Sequence, residues 1–248
     1  MNGTQLRSDI AVGVDGCPGG WVAAIYQAED GTIAFEVVAR LGALIDAHPG
    51  VAIGVDIPIG LGTGVTREVD AMARARLCYP RAFSVFPPPD RRVLGSRSWE
   101  EANALSKELI GKGLSRQSYG IMRKIEEADD VITDVLQGRV FELHPELCFW
   151  RLAGGRPMEY GKKRTAGFNE RRDLLQTVFP AGSIPATRAE ALALVRDSRL
   201  FGRGAGADDV LDAIVAAWTA LRFARGEAEV LPTEPQRDER GFLMQIVC

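Results

Sequence analysis

Asp15, Asp56, Asp209 and Asp212 have the residue type and spacing that metal-dependent hydrolysis of a phosphodiester requires. Two of them end apolar runs, and the other two lie one helical turn apart and so share a helix face. Converging carboxylates repel one another, and a carboxylate beside a buried stripe is costly unless a cation joins it. Mg2+ or Mn2+ is the simplest partner: magnesium takes oxygen ligands and keeps several waters, so two or more carboxylates and a substrate phosphate complete its site. A pair of such ions about 4 Å apart can activate a water and stabilise the leaving oxygen. Plain structural readings exist as well. Asp15 before Gly16 could end a tight turn, and Asp208 is a natural helix N-cap. Asp56, closing so apolar a run, and Asp212, inside a helix, have no comparable structural purpose.

These residues need a scaffold. Residues 10–16, 20–27 and 32–39 read as a three-stranded meander with a turn at Glu29-Asp-Gly31, followed by a short helix at 41–47 and a fourth strand at 51–57. The fourth is a continuous apolar run, the pattern of a strand buried on both faces, so Asp56 sits at a strand end, where open α/β sheets keep their chemistry. Residues 61–137 carry helical patterns at 67–77, 99–109 and 119–136, too long for a simple crossover, which predicts an inserted helical lobe. A fifth strand at 139–144 places Val140, Glu142 and His144 on one side and Phe141 and Leu143 on the other. Residues 186–200 read as a helix. Phe201-Gly-Arg-Gly-Ala-Gly206 then forms a glycine-rich entry to a last helix at 207–222, whose stripe is Leu211, Ile214, Val215 and Trp218. The tail from Gly226, with Pro232 and Pro235, is expected to be a packed extension.

The order of hairpin with Asp, apolar strand with Asp and late helix with Asp-x-x-Asp-Ala resembles the ribonuclease H-like superfamily, particularly its Holliday-junction-resolvase branch. Gly13-Val-Asp-Gly-Cys-Pro-Gly-Gly-Trp21, Gly54-Val-Asp-Ile-Pro-Ile-Gly60, Ser84-Val-Phe-Pro-Pro-Pro89, Phe141-Glu-Leu-His-Pro-Glu146, Tyr160-Gly-Lys-Lys-Arg164 and Asp209-Val-Leu-Asp212-Ala are more closely similar to a family of uncharacterised bacterial and archaeal proteins described as predicted ribonuclease H-like nucleases. The resemblance runs over nearly the whole chain. It implies an α/β fold with a mixed five-stranded sheet flanked by helices, and a nuclease acting on DNA or RNA with Mg2+ or Mn2+. In the roles it implies, Asp15 bridges two ions, Asp56 holds one, and Asp209 or Asp212 holds the other.

Glu142 and Glu146 are candidates for a fifth ligand, with Glu142, inside a core strand, preferred unless it pairs with an arginine. His144 could orient a water or phosphate, or be a structural residue at a strand end. Net charge is −3, but it is unevenly spread: residues 74–207 hold 23 basic and 16 acidic residues, so the acidic ends carry the proposed ligands and the positive middle could receive phosphates. Residues 151–172 alone hold seven basic residues against two acidic, interleaved with Tyr160, Phe168 and glycines, which suits either a backbone clamp or a solvated loop. Lys162, Lys163 and Arg164 from this segment, with Arg81 and Lys112, are the expected substrate-binding residues. The arginines around Phe86-Pro-Pro-Pro-Asp90 flank a stiff extended segment with a structural role.

The 248-residue chain has ordinary globular composition, no apolar stretch of membrane-spanning length and no signal-peptide profile, so a cytoplasmic protein is expected. Its four cysteines are dispersed, which points to neither a disulfide scaffold nor a cysteine zinc site; Cys17 reads as a small turn-filling residue. With two histidines, a histidine-rich metal centre and a Ser-His-Asp hydrolase have little to draw on. No cofactor beyond the divalent cation is called for. The runner-up is a phosphotransferase or phosphohydrolase of actin-like or sugar-kinase-like type acting on a small phosphorylated molecule, with Asp15–Gly20 as phosphate loop. A non-catalytic binding protein is the third reading. The Asp-x-x-Asp of the last helix favours the nuclease. DNA, RNA and branched substrates, endo and exo cleavage, and the oligomeric state stay open at this point.

Overall fold

The computed structural model of the protein describes residues 6–196 and 204–248. At its centre β1 (Ile10–Cys17), β2 (Gly20–Gln27) and β3 (Thr32–Val38) form the expected antiparallel meander. Two further strands, β4 (Ala52–Val55) and β5 (Val140–Glu142), continue the sheet in parallel with β1, giving the order β3-β2-β1-β4-β5. This mixed sheet, covered by helices on both faces, is the α/β architecture that the motifs imply.

The two faces are built from different residues because side chains alternate along each strand. Val12, Val14, Ile53, Val55 and Val140 fill one face, under α1 (Leu41–Ala47) and α5 (Met122–Val131). Ala11, Ala52 and Phe141 lie on the other, with Gly13 and Gly54 between them, and α9 (Ala207–Ala224) packs there together with α6 (Pro145–Leu152), α7 (Thr165–Leu175) and α8 (Arg188–Arg196). The small residues let α9 approach closely. A Cβ on Gly13 would lie 2.0 Å from the Ala217 backbone nitrogen and 2.1 Å from the Ala213 carbonyl oxygen. The sequence-predicted stripe of α9 is buried at Leu211, Ile214 and Val215, but Trp218 is half-buried under the Arg222 guanidinium, and the contact with the sheet falls to Ala213, Ala216 and Ala217.

Between β4 and β5 the chain forms α2 (Glu68–Arg81), α3 (Trp99–Ile110), α4 (Arg116–Gly120) and α5. The regular part of α2 stops where expected, at Leu77, because Cys78 (φ 53°, ψ 176°) and Tyr79 leave helical geometry. The helix expected over 119–136 is two pieces, α4 and α5, meeting at Ile121 and ending before Ile132, which is extended. Nor does this region stand wholly apart as a lobe, since Ile125 and Ala128 of α5 are core residues beneath the central sheet. The tail is an antiparallel pair, β6 (Val230–Arg237) and β7 (Leu243–Val247), and Val247 bridges Leu143 beyond the end of β5. Pro232 and Pro235 concealed this ribbon because proline donates no ladder hydrogen bond and is confined to edges and irregular positions. The predicted helix and glycine-rich entry over 186–206 lie outside the described residues at 197–203. No helix of the described residues is long and apolar enough to cross a membrane.

Gly13→Ala is expected to destabilise the protein by about 3 kcal/mol or more, because backbone atoms, not a flexible side chain, block the new methyl. Gly138→Ala, whose Cβ meets nothing within 4 Å, is the control. Urea denaturation of both variants checks this, and equal midpoints would refute the close helix–sheet contact.

Candidate active site

Register decides which side chains meet. Val14 pairs with Val55, and the Asp56 amide donates to the Val14 carbonyl at 2.9 Å, so Asp15 and Asp56 leave neighbouring parallel strands together. By alternation they project on the Gly13–Gly54 face, the one that α9 crosses. Asp209 and Asp212 come down from the first turns of α9. All four line one cleft of about 1170 Å³, whose floor they form with Glu146 from the start of α6. Asp15 and Asp212 are 5% and 1% exposed, and burial is the main cause that lifts each of the four carboxyls above its usual range.

The cation in this cluster is Lys162, whose Nζ donates to Asp212 Oδ2 at 2.5 Å. Asp212 holds the lysine well above its ordinary range, with burial opposing and Asp15 and Asp56 reinforcing. Burial pushes the Asp212 carboxyl up to about 6 even so, with Lys162 pulling it down. Asp15 stays well above its usual range because burial and then the charges of Asp56, Asp212 and Asp209 outweigh Lys162. Its Oδ1 accepts from the Gly16 amide at 2.7 Å, while Oδ2 has no hydrogen-bond donor among the described residues unless a proton is shared with Asp56.

Glu146, not Glu142, is the fifth carboxylate. Glu142 lies on the same side of β5 as Val140, away from α9, where it accepts from the Ile59 amide at 2.8 Å and from Arg67 Nη2 at 2.5 Å. The arginine pairing, with both side chains buried, is therefore its role, although the residue borders the cleft. Glu146 acts electrostatically on Asp56 and Asp212. Its Oε1 accepts from Arg171 Nη2, and its buried Oε2 has no partner among the described residues. Arg171 also donates to the Tyr160 and Gly167 carbonyls, each at 3.0 Å, and so ties Glu146 to the loop that carries Lys162. The sequence signal for Glu146 was its place one residue past His144-Pro145, where a helix start can turn a side chain back over the strand ends. His144 Nε2 lies 3.3 Å from the Ser84 carbonyl.

Other expectations divide. Asp208 is not the N-cap: Gly206 occupies that position, and its amide donates to Asp209 Oδ2 at 2.8 Å. Lys163, Arg164 and Arg81 join Lys162 on the cleft wall. Lys112 does not; it is exposed in the turn after α3, where its carbonyl accepts the Ser106 hydroxyl at 2.7 Å. Of the other basic residues of 151–172, Arg171 holds Glu146, whereas Arg151 pairs with Glu229 and Arg172 with Asp173 away from the floor, and Phe168 is core. Of the arginines near the proline run, Arg74 holds the Val85 carbonyl, Arg76 pairs with Glu229 and Arg91 with Asp129 and Asp238. Cys17, expected as a turn-filling residue, ends β1 as a buried core residue at the cleft edge.

The donor set suits a hard divalent cation, since it is all carboxylate oxygen and includes buried, undonated atoms on Asp15 and Glu146. With Lys162 seated among them, no three His, Cys, Asp or Glu side chains of the described residues stand close enough to hold a metal ion. The residues therefore fit such an ion by chemistry, in an arrangement that Lys162 now neutralises.

The model of a family described as "Protein of unknown function (DUF429)" matches residues 13–237, so the chain belongs to that family. No curated protein and no solved structure matches it.

A carboxyl raised in the folded state keeps its proton longer than in the unfolded chain. Its stabilising contribution is complete below the unfolded value of 3.8 and is lost as pH rises through about 6 for Asp212. In chelator, the stability of Asp212→Asn relative to the native protein is expected to rise between about pH 4 and about pH 7, on top of a constant cost for leaving Lys162 without its partner. Denaturant titrations at both pH values measure it. A constant gap would mean that Asp212 is not buried as a strained acid.

Proposed function

We propose that this DUF429 protein is a divalent-cation-dependent hydrolase of phosphodiester bonds in DNA or RNA, with a ribonuclease H-like active site. The observation that carries the reading is the convergence of Asp15, Asp212 and Glu146, all buried, with the half-buried Asp56 and Asp209 at the floor of a cleft whose wall bears Lys162, Lys163, Arg164 and Arg81. Carboxylates gathered in this way, three of them buried, oppose stability and have no folding purpose that apolar residues would not serve better. A cationic wall over an anionic floor suits a polyanion that brings phosphate to bound cations.

In this reading Asp15, Asp56, Asp212 and Asp209 hold Mg2+ or Mn2+, with Glu146 completing the oxygen set. The bound cation supplies Lewis-acid polarisation and neutralises charge at the phosphate. Asp15 and Asp56, fixed at the ends of paired strands, set the depth at which the phosphate rests. Lys162 stabilises the acidic floor before substrate arrives, and its flexible stem allows the ammonium to turn from Asp212 to a phosphate oxygen. Lys163 and Arg164, both exposed, hold neighbouring phosphates, and Arg81, near Gly161, does so beside them. Gly16, Gly19 and Gly20 also border the cleft, which keeps a small phosphorylated molecule as the second reading.

Two measurements test this. Mn2+ or Mg2+ is expected to raise the melting temperature of the native protein, and Asp15→Asn or Asp212→Asn to remove that response together with cleavage of a panel of single-stranded, duplex, hybrid and branched DNA and RNA. Full cleavage by either variant would eliminate the site; a cation response without cleavage of any polymer would favour the small-molecule reading. Replacing Lys162, Lys163 and Arg164 together by alanine should weaken nucleic-acid binding and reduce the magnitude of the salt slope by about 2 to 3. An unchanged slope would return the loop to ordinary surface.

A further inference from the structure

Beside the cleft, two aromatic side chains stand in solvent without a folding reason. Tyr79 and Phe83 are 83% and 78% exposed, and their rings contact each other edge to face with centroids 5.9 Å apart. The backbone is bent to present them. Cys78, which ends the regular part of α2, has φ 53°, the one positive value outside glycine among the described residues. A conformation disfavoured for a residue with a side chain is kept only where its surroundings impose it, and such positions gather at functional sites.

The pair adjoins the cationic wall. Arg81, between the two aromatics in sequence, lines the cleft, and its Nη1 lies 3.9 Å from where a Cβ of Gly161 would be, beside Lys162. Ser84, immediately after Phe83, also borders the cleft and meets His144 through its carbonyl. Tyr79 and Phe83 thus flank a cationic residue of the cleft wall, two positions to either side of it in the chain. An apolar protein partner would find Arg81 beside such a patch, and the cationic cleft wall to which Arg81 belongs, unfavourable, whereas a polyanion with flat, stackable groups matches both features.

We propose that Tyr79 and Phe83 form a stacking platform for an unpaired base, which makes the substrate a single-stranded or locally opened nucleic acid. This inference rests on the nucleic-acid reading above. The edge-to-face geometry leaves ring faces open, and only an unpaired base has a free face to lay on one. Phosphates of the same strand then cross Arg81 toward Lys163 and Arg164. Stacking tolerates any base, so the platform selects strandedness, not sequence.

The test is binding, without turnover. Single-stranded oligonucleotides carrying 2-aminopurine at successive positions, and matching duplexes, are titrated in chelator with the native protein, with a Tyr79→Ser, Phe83→Ser double variant and with Tyr79→Trp. Melting temperature and sedimentation are followed for each. The expected result is quenching of 2-aminopurine at one or two positions by the native protein. The double variant should lose that quenching and bind single strands about tenfold more weakly or worse, while Tyr79→Trp retains both. Unchanged affinity and quenching in a folded double variant would overturn the platform, as would a native dimer that the double variant abolishes while binding strands normally. Binding of no strand by the native protein would overturn this inference and the nucleic-acid reading together. Platform-dependent quenching without Mn2+-dependent cleavage would retain the platform and reject only the hydrolase.

Discussion

The close seating of α9 on β1 is the contact on which the site depends. Backbone meets backbone there, because Gly13 offers no side chain and α9 answers with Ala213, Ala216 and Ala217. Larger residues would hold the helix farther from the sheet and lift its first turns away from the strand ends. Asp212 would then no longer lie over Asp15 and Asp56. Small residues in the middle of the interface thus set the positions of acidic residues at its end.

The consequence is a concentration of negative charge in a poorly hydrated place. Unpaired buried charge is far costlier than buried apolar surface, and the structure meets this with cations placed on both faces, one on the α5 side and two on the α9 side. Arg67 takes Glu142 on the α5 side of the sheet; Lys162 takes Asp212 and Arg171 takes Glu146 on the α9 side. Arg171 is committed, being buried and bonded at both terminal nitrogens, whereas Lys162 reaches the floor from a loop and keeps its side chain partly exposed. The compensation is thus rigid under α6 and replaceable over Asp212. That asymmetry is what a site receiving a cation and a phosphate requires. The same loop approaches Arg81 at Gly161, and Arg81 lies between the exposed Tyr79 and Phe83 in the chain.

Much of this was legible in one dimension. The apolar runs before Asp15 and Asp56, the glycines and prolines that close them, and the helical spacing of Asp209 and Asp212 are local patterns, and local patterns specify strands, helix faces and the residues at their ends. The break of α2 after Leu77 was legible for the same reason. Where an element's state depended on what covered it, the pattern misled: the 119–136 run divides at Ile121, and the prolines of the last ribbon concealed two strands.

The sequence by itself therefore determined the sheet's strands and the four aspartates with their shared end of it. Tertiary structure decided which other charges joined them. Glu142 and Glu146 are both acidic residues near a strand end, but moving one position along a strand exchanges the faces of the sheet. Only the pairing of Val55 with Glu142, and the side taken by α9, turned Glu142 toward Arg67 and left Glu146 to face Asp56 and Asp212. Likewise nothing in the basic segment distinguishes Lys162 from Arg151 or Arg172 until the chain folds over the floor. Charge acts through space, and the distances between these residues are set by contacts far apart in the chain.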